Sequence, residues 1–316
     1  MLRERHTPSS APIPLVSVCI PAYHADRYLE ATLRSIAAQT FTDWEVIVTE
    51  DGSNDRTEEI VRSFAASVRQ SVLFERHERN QGLPATRNSG IASARGEWVA
   101  FLDSDDLWRP EHLGMMLTAA SHTRCEMVFS GTEWFDDASG QTVLKSVPSR
   151  EDLSHLPVAL FTGRLSILPS SAMIRRSSFT KLGAVSTEYP HVNDTEYWLR
   201  ILRNGGRIVY SGGATCLYRK HGAAMSKRVA ELLVDSARLC EQYANWDAIP
   251  SRLRRQRPAN LYRWAARTLL REDPAMARRV IVQAVRLQPF NAKNLGIWAK
   301  AALQRRKTPR LQAHLA

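Results

Sequence analysis

Apolar and polar positions alternate in blocks along the first two thirds of the chain. Residues 15–23, LVSVCIPAY, are a short apolar run rich in β-branched residues, the pattern of a buried strand. Residues 26–39 follow with Leu29, Leu33 and Ile36 at helical spacing. Residues 44–51, WEVIVTED, read as a second strand. Residues 55–68 read as a helix with Asp55 as N-cap and Glu58 as its capping-box partner. A third strand (71–77), a third helix (83–94) and a fourth strand (97–103) complete the rhythm. Strands alternating with helices predict an α/β domain: a mostly parallel sheet with helices on both faces.

Beyond this, residues 109–122 read as a helix and 126–135 as a strand, and a looser stretch runs to about Leu168. Residues 170–183 suggest a strand and a short helix. Residues 193–206 place Tyr197, Ile201 and Leu202 on one helical face and stop at Gly205-Gly206. Residues 207–222 read as strand, turn, strand.

From about Ala230 only helical periodicity remains, in three amphipathic segments at 260–272, 274–288 and 291–306. They are too few for a repeat array. Residues 1–14 are polar and Pro-rich and are expected to be disordered. The predicted organisation is therefore a disordered segment (1–14), an α/β domain (15–228) and a helical extension (229–316). Charge separates the last two. The full chain carries +11, yet from Ser226 onward there are 19 Lys/Arg against 6 Asp/Glu, so the body is nearly neutral and the extension strongly basic. A basic tail points to an acidic surface such as anionic lipid.

Four widely spaced cysteines (Cys19, Cys125, Cys216, Cys240) show no metal-ligand spacing and suit a reducing compartment. There is no signal-peptide pattern and no run of about 18 apolar residues. Together these features predict a cytoplasmic protein, with peripheral attachment to the inner face of the membrane through the tail.

In parallel sheets, ligands bind beyond the carboxyl ends of the strands. Three predicted strands deliver polar groups there. The first leads into Pro21-Ala22-Tyr23, the second ends at Glu50-Asp51-Gly52-Ser53, and the fourth ends at Asp103-Ser104-Asp105-Asp106. Three carboxylates within four positions repel one another, so the cluster gains from a cation. Hard cations such as Mg2+ or Mn2+ take one or two carboxylates from protein, with phosphate and water completing the shell. Asp106 fits better as a cap for the helix that follows.

From Val16 to about Ser226 the chain resembles the family 2 glycosyltransferases, which have the GT-A (Rossmann-like) fold. The resemblance rests on several motifs in order: VSVCIPAYHADRYLEATLRSIAAQT, WEVIVTEDGSNDRT, NQGLPATRNSGIASARGEWVAFLDSDD, SSAMIRRSSFTKLG, NDTEYWLR and YRKHGAAMS. It implies an inverting, metal-dependent transfer of a sugar from a nucleotide-sugar donor, UDP-linked, to a hydroxyl of a glycan or lipid-linked glycan acceptor. The expected setting is surface polysaccharide or lipopolysaccharide assembly. By the same resemblance, Asp103 and Asp105 form the DXD pair: Asp105 is the better metal ligand, and Asp103 faces the ribose or the metal. Asp51 accepts a hydrogen bond from uracil, although Glu50 departs from the usual Asp before it. Pro21, Ala22 and Tyr23 wall the base, and Arg87 lies near the base and diphosphate. His221 lies near the metal or diphosphate, and Tyr218, Arg219 and Lys220 belong to a loop closing over the donor. An inverting displacement needs a general base, which the resemblance places at Asp194, with Asn193 standing where relatives carry Glu. Ser170 and Ser171 line the acceptor side.

Two other classes fit less well. A nucleotidyltransferase would open on a Gly-rich phosphate loop, which PAYHADRYL lacks; GxGxxG and GxxxxGK[ST] are also missing. A nucleic-acid or polyanion binder would exploit Arg252, Arg254, Arg255 and Arg257 near Trp264, but no nucleic-acid motif accompanies them. The sugar, acceptor and linkage depend on residues between about Gly131 and Leu168, which carry no readable motif.

Overall fold

The computed structural model describes residues 2–6, 12–221 and 229–303. The last residues of the YRKHGAAMS motif, the middle of the expected disordered segment and the end of the final helical segment lie outside them. The chain divides into two compact units, 1–224 and 225–316.

The first unit runs β1 (Leu2–His6), β2 (Val16–Ala22), α1 (Leu29–Ala37), β3 (Trp44–Glu50), α2 (Thr57–Ser67), β4 (Val72–Arg76), α3 (Leu83–Ser93) and β5 (Trp98–Phe101). It continues with β6 (Leu107–Trp108), α4 (His112–Ser121), β7 (Met127–Asp136), β8 (Thr142–Ser146), α5 (Arg150–Ser154) and α6 (Leu156–Thr162). A 3-10 turn (Pro169–Ser171), β9 (Ala172–Arg175), α7 (Arg176–Leu182), α8 (Asn193–Arg203) and β10 (Ile208–Lys220) close it. Strand order in the sheet is β1-β4-β3-β2-β5-β9-β7-β10-β6, with β8 pairing with Thr132–Phe135 of β7, beyond the residues that pair with β9.

The centre of the sheet is parallel: β2 pairs with β3 and β5, and β3 pairs with β4. Every residue of β2, β3 and β5 is buried, as expected where both faces are covered. Antiparallel β9 joins this half to the parallel pair β7 and β10. Leu29, Leu33 and Ile36 of α1 pack with Val18, Ile20 and Val46 of the sheet into the core.

Four local expectations change. Leu2–His6 pairs antiparallel with β4 as an edge strand instead of remaining unstructured; backbone pairing to an open edge is available whatever the side chains. Glu58 does not close a capping box. Its carboxylate pairs with Arg76 and Arg62, while Asp55 Oδ1 accepts from the Thr57 amide at 3.1 Å. Residues 207–222 form no hairpin: β10 is one strand, parallel to β7 throughout, with register shifts around Gly212, whose φ is +91°. The Gly pair makes a bulge there rather than a reversal. Asp106 caps nothing, because β6 intervenes before α4 begins at His112.

The second unit is helical: α9 (Val229–Gln242), α10 (Ser251–Leu269), α11 (Pro274–Leu287) and α12 (Ala292–Leu303). α9 and the first turns of α10 lie outside the three predicted segments, the first of which begins at Asn260, after Pro258. Pro258 instead lies inside α10, buried beside Ala259, Leu261 and Tyr262. Packing of that face retains a helix that the missing N–H weakens. Asp273 caps α11, accepting from the Met276 amide at 2.9 Å, with Pro274 opening the first turn. The Tyr262 hydroxyl donates to Glu241 on α9 at 2.6 Å, and Asn294 on α12 donates to the Ala284 carbonyl at 3.0 Å.

Candidate functional site

The ends of β2 and β3 lie side by side because the strands pair in register from Val16/Trp44 to Ala22/Glu50. Pro21 and Ala22 are buried within β2, and the Ala22 carbonyl accepts from the Asp51 amide at 2.8 Å. Tyr23 is the member of this trio open to solvent, at 50% exposure. Glu50 is fully buried. It accepts from the Ser53 amide and hydroxyl, each at 2.6 Å, and pairs with Arg76 at 2.9 Å. Glu50 therefore shapes the Gly52-Ser53 turn from beneath.

Asp51 is 2% exposed. Its Oδ1 accepts from the Gln81 amide (2.8 Å) and His77 Nδ1 (2.7 Å), and its Oδ2 from the Gly82 amide (2.8 Å). A carboxylate has about four acceptor positions, so one on Oδ2 remains for a ligand N–H. His77, which the sequence analysis does not single out, is held on its other side by Ser89 (2.9 Å). Nothing in its local sequence distinguishes it, because its role comes from the register of β4 against β3.

After β5, the Asp106 amide donates back to the Asp103 carbonyl at 3.1 Å, which fans the three carboxylates apart. Asp103 Oδ1 takes Arg87 Nη2–H at 2.8 Å. Asp105 Oδ2 takes His221 Nε2–H at 2.8 Å. Burial, reinforced by the Asp103 charge, pushes Asp105 above the ordinary carboxylate range, against the pull of His221. Asp106 is buried, and burial and its two neighbours push it well above that range. It accepts from the Ser170 hydroxyl (2.5 Å) and the Arg219 amide (3.0 Å). Ser170 in turn accepts from the Asp103 amide at 3.0 Å. Ser170 is fully buried and braces the carboxylate turn; it does not line an acceptor surface. Tyr218, Arg219 and Lys220 belong to β10, not to a loop. Arg219 is fixed by the Asp105 carbonyl (2.8 Å) and Asp137 (2.8 Å), with its guanidinium over the Tyr28 ring.

On the other flank, α8 begins at Asn193. Asn193 Oδ1 accepts Arg87 Nη1–H at 2.9 Å, and its Nδ2 donates to the Pro190 carbonyl at 3.0 Å. Buried Arg87 thus ties the carboxylate turn after β5 to the first turn of α8. Asp194, next in sequence, accepts from the Thr195 amide at 2.6 Å. Burial raises its carboxyl above the usual range, opposed by Arg87.

A glycosyl transferase family 2 model matches residues 17–183, just over half of the chain. The chain belongs to that family. Among curated relatives, the putative glycosyltransferase EpsH of Bacillus subtilis (strain 168) is 29% identical over 233 residues, 71% of this chain and 66% of EpsH. The Escherichia coli enzyme WfgD, named a UDP-Glc:alpha-D-GlcNAc-diphosphoundecaprenol beta-1,3-glucosyltransferase, is 25% identical over 237 residues, 74% of this chain and 85% of WfgD. Staphylococcus aureus TarS residues 1–349, solved with UDP, superposes with a TM-score of 0.63 at 20% identity over 90% of this chain and 89% of that one. The first unit accordingly has the GT-A fold of family 2 glycosyltransferases.

In this family 2 chain, apart from Pro21, Ala22, Tyr23 and Asp51 at the ends of β2 and β3, the predicted site residues fall into two groups. Arg87, Asp103, Asn193 and Asp194 converge through the Arg87 bridge, and Asp105 meets His221. A divalent cation suits the second group chemically: the carboxylate offers a hard oxygen donor and the imidazole a borderline nitrogen donor. Among the described residues no cluster of three or more His, Cys, Asp or Glu is arranged to hold a metal. Two protein donors match a cation whose shell is completed by phosphate and water. Asp103 gives one carboxylate oxygen to Arg87, and its second oxygen leaves it able to face the ribose or to join that pair.

Proposed function

We propose that this family 2 chain is an inverting, metal-dependent glycosyltransferase. It moves a sugar from a UDP-linked donor to a hydroxyl of a glycan or lipid-linked glycan in cell-surface polysaccharide or lipopolysaccharide assembly. The observation that carries this reading is the Arg87 bridge, which holds Asp103 at 2.8 Å and Asn193 at 2.9 Å and so brings the DXD turn beside Asp194.

The remaining acceptor position of Asp51 Oδ2 takes the imide N–H of uracil, with half-exposed Tyr23 at the rim of the base site. Asp103, fixed by Arg87, addresses the ribose end of the donor. Asp105 and His221 would hold Mg2+ or Mn2+, which would supply neutralisation of leaving-group charge on the diphosphate. Asp194 accepts the proton of the acceptor hydroxyl as that oxygen bonds to the anomeric carbon. The bond from that carbon to the diphosphate oxygen breaks on the opposite face, and its electron pair leaves with the nucleoside diphosphate. The raised Asp194 carboxyl is a stronger proton acceptor than an ordinary aspartate. WfgD, named as a transferase of glucose from UDP-Glc, and TarS, solved with UDP, support the uridine donor.

The second unit supports docking to an anionic membrane. Helical spacing sets Leu295, Trp298 and Ala302 on one face of α12, where Leu295 and Trp298 are exposed; Phe290, before the helix, is almost fully exposed. Lys293 and Lys300, seven residues apart and both exposed, share the opposite face of the helix. Apolar anchors with lysines suit the boundary of an anionic bilayer. No described helix is long and apolar enough to cross one.

A UDP-release assay over a panel of UDP- and GDP-sugars, with Asp194→Asn alongside, tests the reading. Loss of transfer with nearly unchanged UDP affinity is expected. A variant that loses UDP affinity instead would show that Asp194 serves the donor and not the proton.

A further inference from the structure

Beside Asp194, two buried polar atoms among the described residues have no hydrogen-bond partner: Arg87 Nε and the Tyr197 hydroxyl. Both residues are almost wholly buried, at 5% and 1% exposure. Unpaired buried polar groups are rare enough that each one asks for a partner. Neither atom can swing elsewhere. Arg87 is pinned through both terminal nitrogens by Asn193 and Asp103. The Tyr197 ring is stacked on Phe179 with centroids 5.1 Å apart, and the Arg200 guanidinium covers it at 4.7 Å.

Both residues line one cavity of about 10 Å3, together with Asn193 and Asp194, against an apolar wall that includes Phe101 and Ile174. That volume is at the scale of a single water, which needs two to four polar partners. Asp194 and Tyr197 are three residues apart on α8 and so share a face.

We infer that this cavity binds one ordered water, held by Arg87 Nε–H and Tyr197 O–H and donating to the Asp194 carboxylate, which makes Tyr197 a positioning residue for the base. The inference rests on the reading of Asp194 as base. Its logic is a count of donors and acceptors. Arginine Nε only donates. Burial pushes the Tyr197 phenol up, so it keeps its proton at working pH. Two donors fill the lone pairs of the water and leave its hydrogens for an acceptor. The Asp194 carboxylate supplies one, since its Oδ1 is already met by the Thr195 amide. The charged groups that face Asp194 from other elements are Arg87 on α3 and Asp103 after β5. The water adds a neutral donor that favours the ionised base and fixes its orientation.

The test is a crystal structure of the full chain at a resolution that shows ordered waters, together with pH–rate profiles of the unsubstituted protein and Tyr197→Phe. Density within hydrogen-bond distance of Arg87 Nε, Tyr197 Oη and Asp194 is expected. Tyr197→Phe should move the acid limb of kcat upward by about one pH unit, a loss of about tenfold below the limb, with donor KM unchanged. A dry cavity, or a Tyr197→Phe profile that overlays the unsubstituted one, overturns the inference. If Tyr197→Phe does not fold, the density in the unsubstituted protein decides alone. Transfer retained in Asp194→Asn overturns the base assignment without bearing on the water, which the density settles independently.

Discussion

Asp105 and Asp194 are both carboxyls raised by burial, yet their partners give them different work. Asp105 faces His221, so replacing it with Asn removes the negative member of the proposed cation pair. Titration calorimetry of UDP with and without Mn2+ should show at least about a tenfold loss of the metal-dependent part of affinity, equal to about 1.4 kcal/mol. Unchanged Mn2+-dependent affinity would rule out this use of the DXD turn. Asp194 faces Arg87 and must be deprotonated to accept a proton. Because its carboxyl is raised, kcat falls on the acid side with a limb above the ordinary aspartate value of 3.8. Arg87→Gln removes the opposing cation and moves that limb higher still; an unmoved limb in a pH–rate series would show that Arg87 does not act on Asp194. At this scale Asp51, Arg87, Asp103 and Asp194 are legible in the chain through the motifs it shares with family 2 glycosyltransferases. His77 and Ser170 are not. They become significant only when β4 meets β3 and the Pro169–Ser171 turn meets the end of β5.

At the level of elements, the donor site depends on the turn after β3 lying flat against the loop after β4. Gly52 has φ +76°, and a Cβ there would come within 2.7 Å of the Arg79 backbone carbon. Gly52→Ala is expected to cost about 1–3 kcal/mol in backbone strain, before any displacement of the loop that carries Gln81 and Gly82 to Asp51. Chemical denaturation should show that loss, and UDP affinity should fall with it. Wild-type stability and affinity in Gly52→Ala would mean that the two loops are not coupled. The glycine itself is visible in the sequence as a turn residue. Its contact with Arg79 is not, because 27 residues and two elements separate them. The same holds for β10, where Gly212-Gly213 reads as a reversal until β7 is seen to pair with the strand on both sides of the bulge.

For the molecule as a whole, the charge asymmetry and the helical tail lead to a measurable surface. Sedimentation with vesicles rich in phosphatidylglycerol should capture the full chain and release it as salt rises. Combining Trp298→Ser with Lys293→Glu and Lys300→Glu should reduce capture by at least about tenfold, at about 1 kcal/mol per lysine plus the lost anchor. Undiminished capture in that variant would exclude α12 as the docking face. The amino-acid sequence by itself determines the α/β class of the first unit, the helical character of the second, and which strand ends carry acids. Those properties follow from hydrophobic period and residue type, which are local. Tertiary structure alone decides that Leu2–His6 extends the sheet, that Pro258 lies within a helix, that Ser170 braces Asp106, and that Arg87 joins Asp103 to Asn193. Each of these depends on which distant backbone arrives alongside, and hydrogen-bond partners more than a hundred residues apart, such as Arg87 and Asn193, leave no periodic trace in the chain.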